Sequence, residues 1–114
     1  MKNWIWIIVA VGMVLVLKHL LLGRASKETI QEVLDAGALV VDVRTEAEFV
    51  GDHYENAVNI PLSSLAGRLG ELGTKDRPIV LYCHSGTRSA SAARILAQAG
   101  FTNVTNAGSL HHMP

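Results

Sequence analysis

The first two dozen residues decide how much chain is left to fold. Trp4 to Leu17 carries no charge, and only Gly12 interrupts its apolar run. Lys18 and His19 follow, then Leu20 to Leu22. As a helix, residues 4–22 reach roughly 28 Å, near the thickness of a bilayer core. Lys18 lies about a turn from the end, and its stem can carry the amine to the headgroups. Trp4 and Trp6 suit the opposite interface. The segment predicts a retained single-pass membrane anchor over residues 1–24. A cleaved signal peptide competes with this reading, but no small-x-small site follows the run. A buried core helix also competes, but the rest of the chain is too small to cover all its faces.

Of the 114 residues, the segment leaves 25–114 as one small domain. Cys83 is the single cysteine, so an internal disulfide is excluded and a lone reactive thiol is not. Lys2, Lys18 and Arg24 put three positive charges and no acid in the first 24 residues, leaving 7 basic against 10 acidic residues in the remainder. A mildly acidic domain with few aromatics argues against a nucleic-acid surface. The charges flanking the anchor lean weakly toward a cytoplasmic domain, since Lys18, Arg24 and Lys27 lie on that side and Lys2 with the terminal amine on the other.

Beyond residue 25, helical and strand patterns alternate. Ser26 predicts an N-cap for a helix with Ile30, Val33 and Leu34 on one face. Residues 38–43 read as a buried strand, and Thr45 as the cap of a short acidic-led helix. Residues 57–60 read as a second strand, closed by Pro61. Leu62, Leu65, Leu69 and Leu72 predict one amphipathic helix. Residues 79–82 are a third strand, 83–88 a tight loop, 89–99 an Ala-rich helix and 103–106 a last short strand. This alternation predicts an α/β fold with an open, mainly parallel sheet flanked by helices, preceded by the transmembrane helix.

The strand 79–82 runs straight into Cys83, where α/β sheets place their ligands. Backbone N–H groups of residues 84–88 can curl into an anion nest, and the following helix points its positive end there. Gly86 lets the loop bend. Arg88 adds a cation, or makes a structural ion pair with Asp42. These features predict a thiolate at Cys83. The bland alternative, an inert core cysteine, fits the strand end poorly. His84 reads equally as an exposed loop side chain. His111 and His112 invite a metal reading, but adjacent histidines point apart and no third ligand is evident, so no metal site is expected.

The loop Cys83-His84-Ser85-Gly86-Thr87-Arg88 resembles the active-site loop of the rhodanese-like sulfurtransferases. Residues 41–44 with Glu48 and Phe49, residues 51–53 with 57–61, and residues 99–104 with 106–108 resemble other segments of that family in order and spacing. The resemblance spans about residues 26–110. It implies that Cys83 attacks the outer sulfur of thiosulfate or a similar small anion, that sulfite leaves, and that the persulfide passes to cyanide, a thiol or a protein acceptor. Residues 84–88 would bind the donor and Asp42 would support the site. No metal or organic cofactor is implied. The expected setting is a bacterial inner membrane. A membrane-tethered persulfide relay with little turnover of free substrate is the alternative. Cysteine phosphatases carry one more residue between Cys and Arg to hold a phosphate, so phosphatase or arsenate reductase activity ranks below sulfur transfer. Family members often continue into an aromatic-containing helix after the glycine region. Here Gly108–Pro114 stands in its place, which predicts a more open sheet edge or site.

Overall fold

The computed structural model describes residues 3–114, with side chains for 3–14 and 23–114. Helix α1 covers Asn3–Leu22. Along residues 3–14 every side chain is exposed, including Trp4, Trp6, Ile7 and Met13, so this stretch supplies nothing to the domain core. That removes the buried-core-helix reading for these residues. Among the described residues no helix is long and apolar enough to cross a membrane, so the transmembrane helix expected from the sequence is not borne out there. The side chains of residues 15–22, Lys18 among them, lie outside the described residues.

The domain then follows the alternation in the sequence. Helix α2 (Lys27–Asp35) starts at Ser26, whose hydroxyl accepts the Thr29 N–H at 3.2 Å. Strand β1 (Leu39–Asp42) leads to α3 (Glu46–Gly51). Thr45 and Glu48 form a reciprocal capping box at its start, satisfying two donors that would otherwise lack partners. Strand β2 is Val58–Asn59.

The leucines at 62, 65, 69 and 72 do not form one helix. They divide into a single turn, α4 (Leu62–Leu65), and a 3-10 turn (Leu69–Leu72). Gly67 and Gly70 lie in this stretch, and glycine costs a helix about 1 kcal/mol relative to alanine. Leu65 and Leu72 are nevertheless fully buried, so the apolar spacing marks the core face without a continuous helix. Strand β3 (Ile79–Cys83), helix α5 (Thr87–Gln98) and strand β4 (Val104–Ser109) follow, and a 3-10 turn at Leu110–His112 ends the ordered elements.

The four strands lie in the order β2-β1-β3-β4, all parallel. Strand β3 is central and buried along its whole length, as expected for a parallel strand covered on both faces. Its side chains alternate. Ile79, Leu81 and Cys83 pack with Leu65, Leu72, Ala92, Leu96 and Phe101 on one face. Val80 and Tyr82 pack with Ile30, Ala107 and Met113 on the other. Each large side chain so buried contributes about 1.5–3 kcal/mol.

The outer edge of β4 is covered. Arg24 bridges Asn106 in parallel, and the Ala25 N–H donates to the Asn106 carbonyl at 2.7 Å. His112 Nε2 lies 2.8 Å from the Ala25 carbonyl oxygen. The Tyr54 hydroxyl donates to the Pro114 carbonyl at 3.1 Å, tying the last residue to the domain. The expected opening of this edge is therefore replaced by the linker and the C-terminal turn, which blunt it against pairing with other chains.

Candidate active site

Cys83 is the last residue of β3 and has no exposed surface. His84, Ser85 and Gly86 connect it to α5. Gly86 takes a left-handed conformation (φ 97°) as the N-cap, which turns its N–H back onto the sulfur at 2.9 Å. A side chain here would be strained, because L-residues rarely adopt that conformation. Ser89, in the first turn of α5, is fully buried with its Oγ 3.6 Å from Cys83 Sγ.

The single Ser89 proton has two carbonyl acceptors, Gly86 at 3.0 Å and Gly108 at 3.2 Å. While Cys83 is a thiol, its S–H can donate to the Ser89 oxygen. When Cys83 ionises, the hydroxyl can turn its proton to the sulfur. Burial pushes the Cys83 thiol up. Donation from the Ser89 backbone, the Ser89 hydroxyl and the Gly86 and Ser85 N–H groups outweighs it, so the net shift is downward.

Gly108 reaches the loop through an irregularity in β4. The register steps from Leu81↔Asn106 to Tyr82↔Gly108, leaving Ala107 as an extra residue. The bulge is held by the Gly108 N–H donating to Asn106 Oδ1 at 2.9 Å. Bulges commonly re-aim backbone next to functional sites. Here the bulge presents the Gly108 carbonyl to Ser89. Gly108 has φ 83°, and a Cβ on it would stand 2.8 Å from Arg24 Cδ.

Arg88 does not pair with Asp42. It forms a bidentate pair with Glu48 on α3, at 2.7 and 2.9 Å. The Arg88 guanidinium holds the Glu48 carboxyl down at about 2. Asp42 is instead taken by Arg44: the Arg44 backbone N–H donates at 2.8 Å, and its guanidinium adds contacts of 2.7 to 3.1 Å. Both residues are buried. Arg44 also donates to the Asp52 carbonyl, while Asn59 Nδ2 donates to the Asp42 and Arg44 carbonyls at 3.0 Å each. Beside them the Tyr82 hydroxyl accepts the Tyr54 N–H at 2.9 Å. Burial pushes its pKa up to about 12.

The rhodanese-like domain family matches residues 26–108. The chain belongs to that family. Thiosulfate sulfurtransferase PspE of Escherichia coli is 35% identical over 71 residues, covering 61% of this chain and 68% of the relative. YqhL of Bacillus subtilis is 42% identical over 86 residues, covering 73% and 68%. Among solved structures, a rhodanese with anions from Escherichia coli superposes with a TM-score of 0.64 at 34% identity, covering 68% of this chain and 94% of that one.

Within this rhodanese-like domain, the residues singled out from the sequence separate into three groups. Cys83 and Gly86 meet at the sulfur. His84, Ser85 and Thr87 are exposed around the loop. Arg88 and Asp42 lie in two separate ion pairs. Sequence reasoning missed Ser89, Glu48 and Gly108 as parts of the site. Ser89 carries a faint signal, a polar residue in the first turn of an Ala-rich helix directly after the loop. Among the described residues no group of three or more His, Cys, Asp or Glu side chains could hold a metal.

Proposed function

We propose that the domain is a sulfurtransferase that moves a sulfane sulfur from thiosulfate or a similar anionic donor to a thiophilic acceptor through a Cys83 persulfide. The observation that carries this reading is a sulfur at a strand end that accepts the Gly86 N–H at 2.9 Å and lies 3.6 Å from the Ser89 hydroxyl oxygen. Such a cup favours the thiolate, and it would equally hold the terminal sulfur anion of a persulfide. The sulfurtransferase names of relatives such as PspE support it.

The thiolate attacks the outer sulfur of thiosulfate. The S–S bond of the donor breaks, and sulfite leaves with the electron pair. Cyanide or a thiolate then attacks the outer sulfur of the persulfide, and the Cys83 thiolate leaves as the product forms. The first step needs the loop to shift, because Cys83 has no exposed surface. That closure also favours a carrier variant of the same chemistry, in which a docked partner opens the loop and free thiosulfate turns over slowly. Steady-state thiocyanate formation from thiosulfate and cyanide separates the two. Parallel double-reciprocal plots with appreciable turnover support the enzyme. A single persulfide per chain with negligible turnover supports the carrier. No sulfur on Cys83 from any sulfane donor contradicts both.

The apolar run at residues 4–22 supports a division into an anchor, 1–24, and a domain, 25–114, with the chain in a bacterial inner membrane. The exposed apolar side chains of residues 3–14 are consistent with a surface that needs another covering. Membrane-bound full chain should resist alkaline carbonate extraction; complete release would contradict the anchor.

A further inference from the structure

The sequence holds a histidine pair that the sulfur-transfer scheme does not use. His112 has a structural contact, with its Nε2 against the Ala25 carbonyl at 2.8 Å. His111 does not. It is exposed on the turn Leu110–His112, and its ring lies edge-on to that of His84 with centroids 6.3 Å apart. The topology explains the meeting. Ser109 is the β4 partner of Cys83, so the turn that follows it emerges beside the loop that follows Cys83.

Among the described residues, neither ring makes a hydrogen bond or ion pair within the protein. Two imidazoles with free nitrogens therefore flank the exposed side of the loop. A neutral imidazole offers one N–H donor; a protonated one offers two with a positive charge. Either state can face an oxyanion. Arg88, the cation expected for that task, is already chelated by Glu48 on both branches of its guanidinium. Its charge is largely spent on that carboxylate.

We propose that His111, with His84, forms an imidazole rim that binds the oxyanion end of the sulfur donor and points its outer sulfur at Cys83. The proposal rests on the sulfur-transfer reading and adds the group that selects an anionic donor. It makes the C-terminal turn part of the donor site.

The test uses the full chain and two reactions of Cys83. Persulfide formation is followed by intact mass against thiosulfate concentration. Alkylation is followed with iodoacetate and with iodoacetamide, which differ by one carboxylate. His111→Ala should raise half-saturation by thiosulfate roughly fivefold, the scale of an exposed charge contact. Its limiting rate and its iodoacetamide rate should stay within about twofold of wild type. The iodoacetate-to-iodoacetamide ratio should fall by a similar factor, and His111→Arg should restore both. A purely structural residue would move both alkylators together and would not be rescued by arginine. Unchanged half-saturation and an unchanged ratio in His111→Ala would overturn the rim. Failure of the wild type to take sulfur from thiosulfate would instead overturn the sulfur-transfer reading, while the alkylator ratio would still test the rim by itself.

Discussion

The carboxyl ends of β1 and β3 lie side by side, with Asp42 opposite Tyr82 in the ladder, yet they solve opposite problems. The end of β1 holds formal charges. Asp42 and Arg44 are buried and paired at 2.7 Å, and Asn59 satisfies the carbonyls around them. The end of β3 holds one ionisable sulfur, and its nearest donors are backbone N–H groups and a hydroxyl. A saturated ion pair is rigid and unreactive. A sulfur facing uncharged donors can be stabilised as an anion and still attack. Glu48 and Arg88 join the two ends, since one follows β1 and the other follows β3.

The largest effect is expected from removing the sulfur. Cys83→Ser should abolish sulfur transfer while the thermal transition persists, as followed by thiocyanate formation and circular dichroism. Next is Asp42→Ala, which leaves the Arg44 charge buried without its carboxylate. Loss of about 3–5 kcal/mol in urea unfolding is expected. Under folding conditions the pH profile of Cys83 alkylation should stay close to wild type, because Asp42 does not touch the sulfur.

Ser89→Ala sharpens the other end. It removes a buried hydroxyl and leaves the Gly108 carbonyl without that donor, so a loss of about 1–3 kcal/mol in unfolding is expected. The midpoint of the alkylation–pH profile should move upward, because a donor to the thiolate is gone. Arg88→Ala should shift that midpoint less than Ser89→Ala, since Glu48 already occupies the guanidinium.

The smallest effect is expected from Glu48→Gln. Glu48 is about one-third exposed (33%), so solvent screens its pair with Arg88 and the loss should be at most about 1 kcal/mol. Its folded pKa, about 2, lies below the ordinary 4.5. Its contribution is therefore present above pH 4.5 and fades as pH falls through 2. Stability curves of wild type and Glu48→Gln should differ at neutral pH and converge in strong acid.

Much of the scaffold was legible because local chemistry decides it. Ser26 and Thr45 cap the helices expected of them, and the apolar runs became the parallel strands. The leucine repeat at 62–72 misled because spacing reports a buried face, and glycines allow that face to be met by short turns. The last strand extended to Ser109 because its bulge hides the alternation. At the site, Cys83 and its loop were visible as a strand–loop–helix junction. The partner of Arg88 was not, because Glu48 is 40 positions away and only the fold brings α3 beside α5. Ser89 and Gly108 were hidden for the same reason: their roles arise where α5 crosses the end of β4.

The most direct test of the sulfur chemistry is intact-mass analysis of the full chain after incubation with thiosulfate, beside Cys83→Ser. One added sulfur is expected on the wild type, removed by cyanide and absent from the variant. A folded wild type with a reactive thiol and no added sulfur from thiosulfate or any other sulfane donor would contradict it.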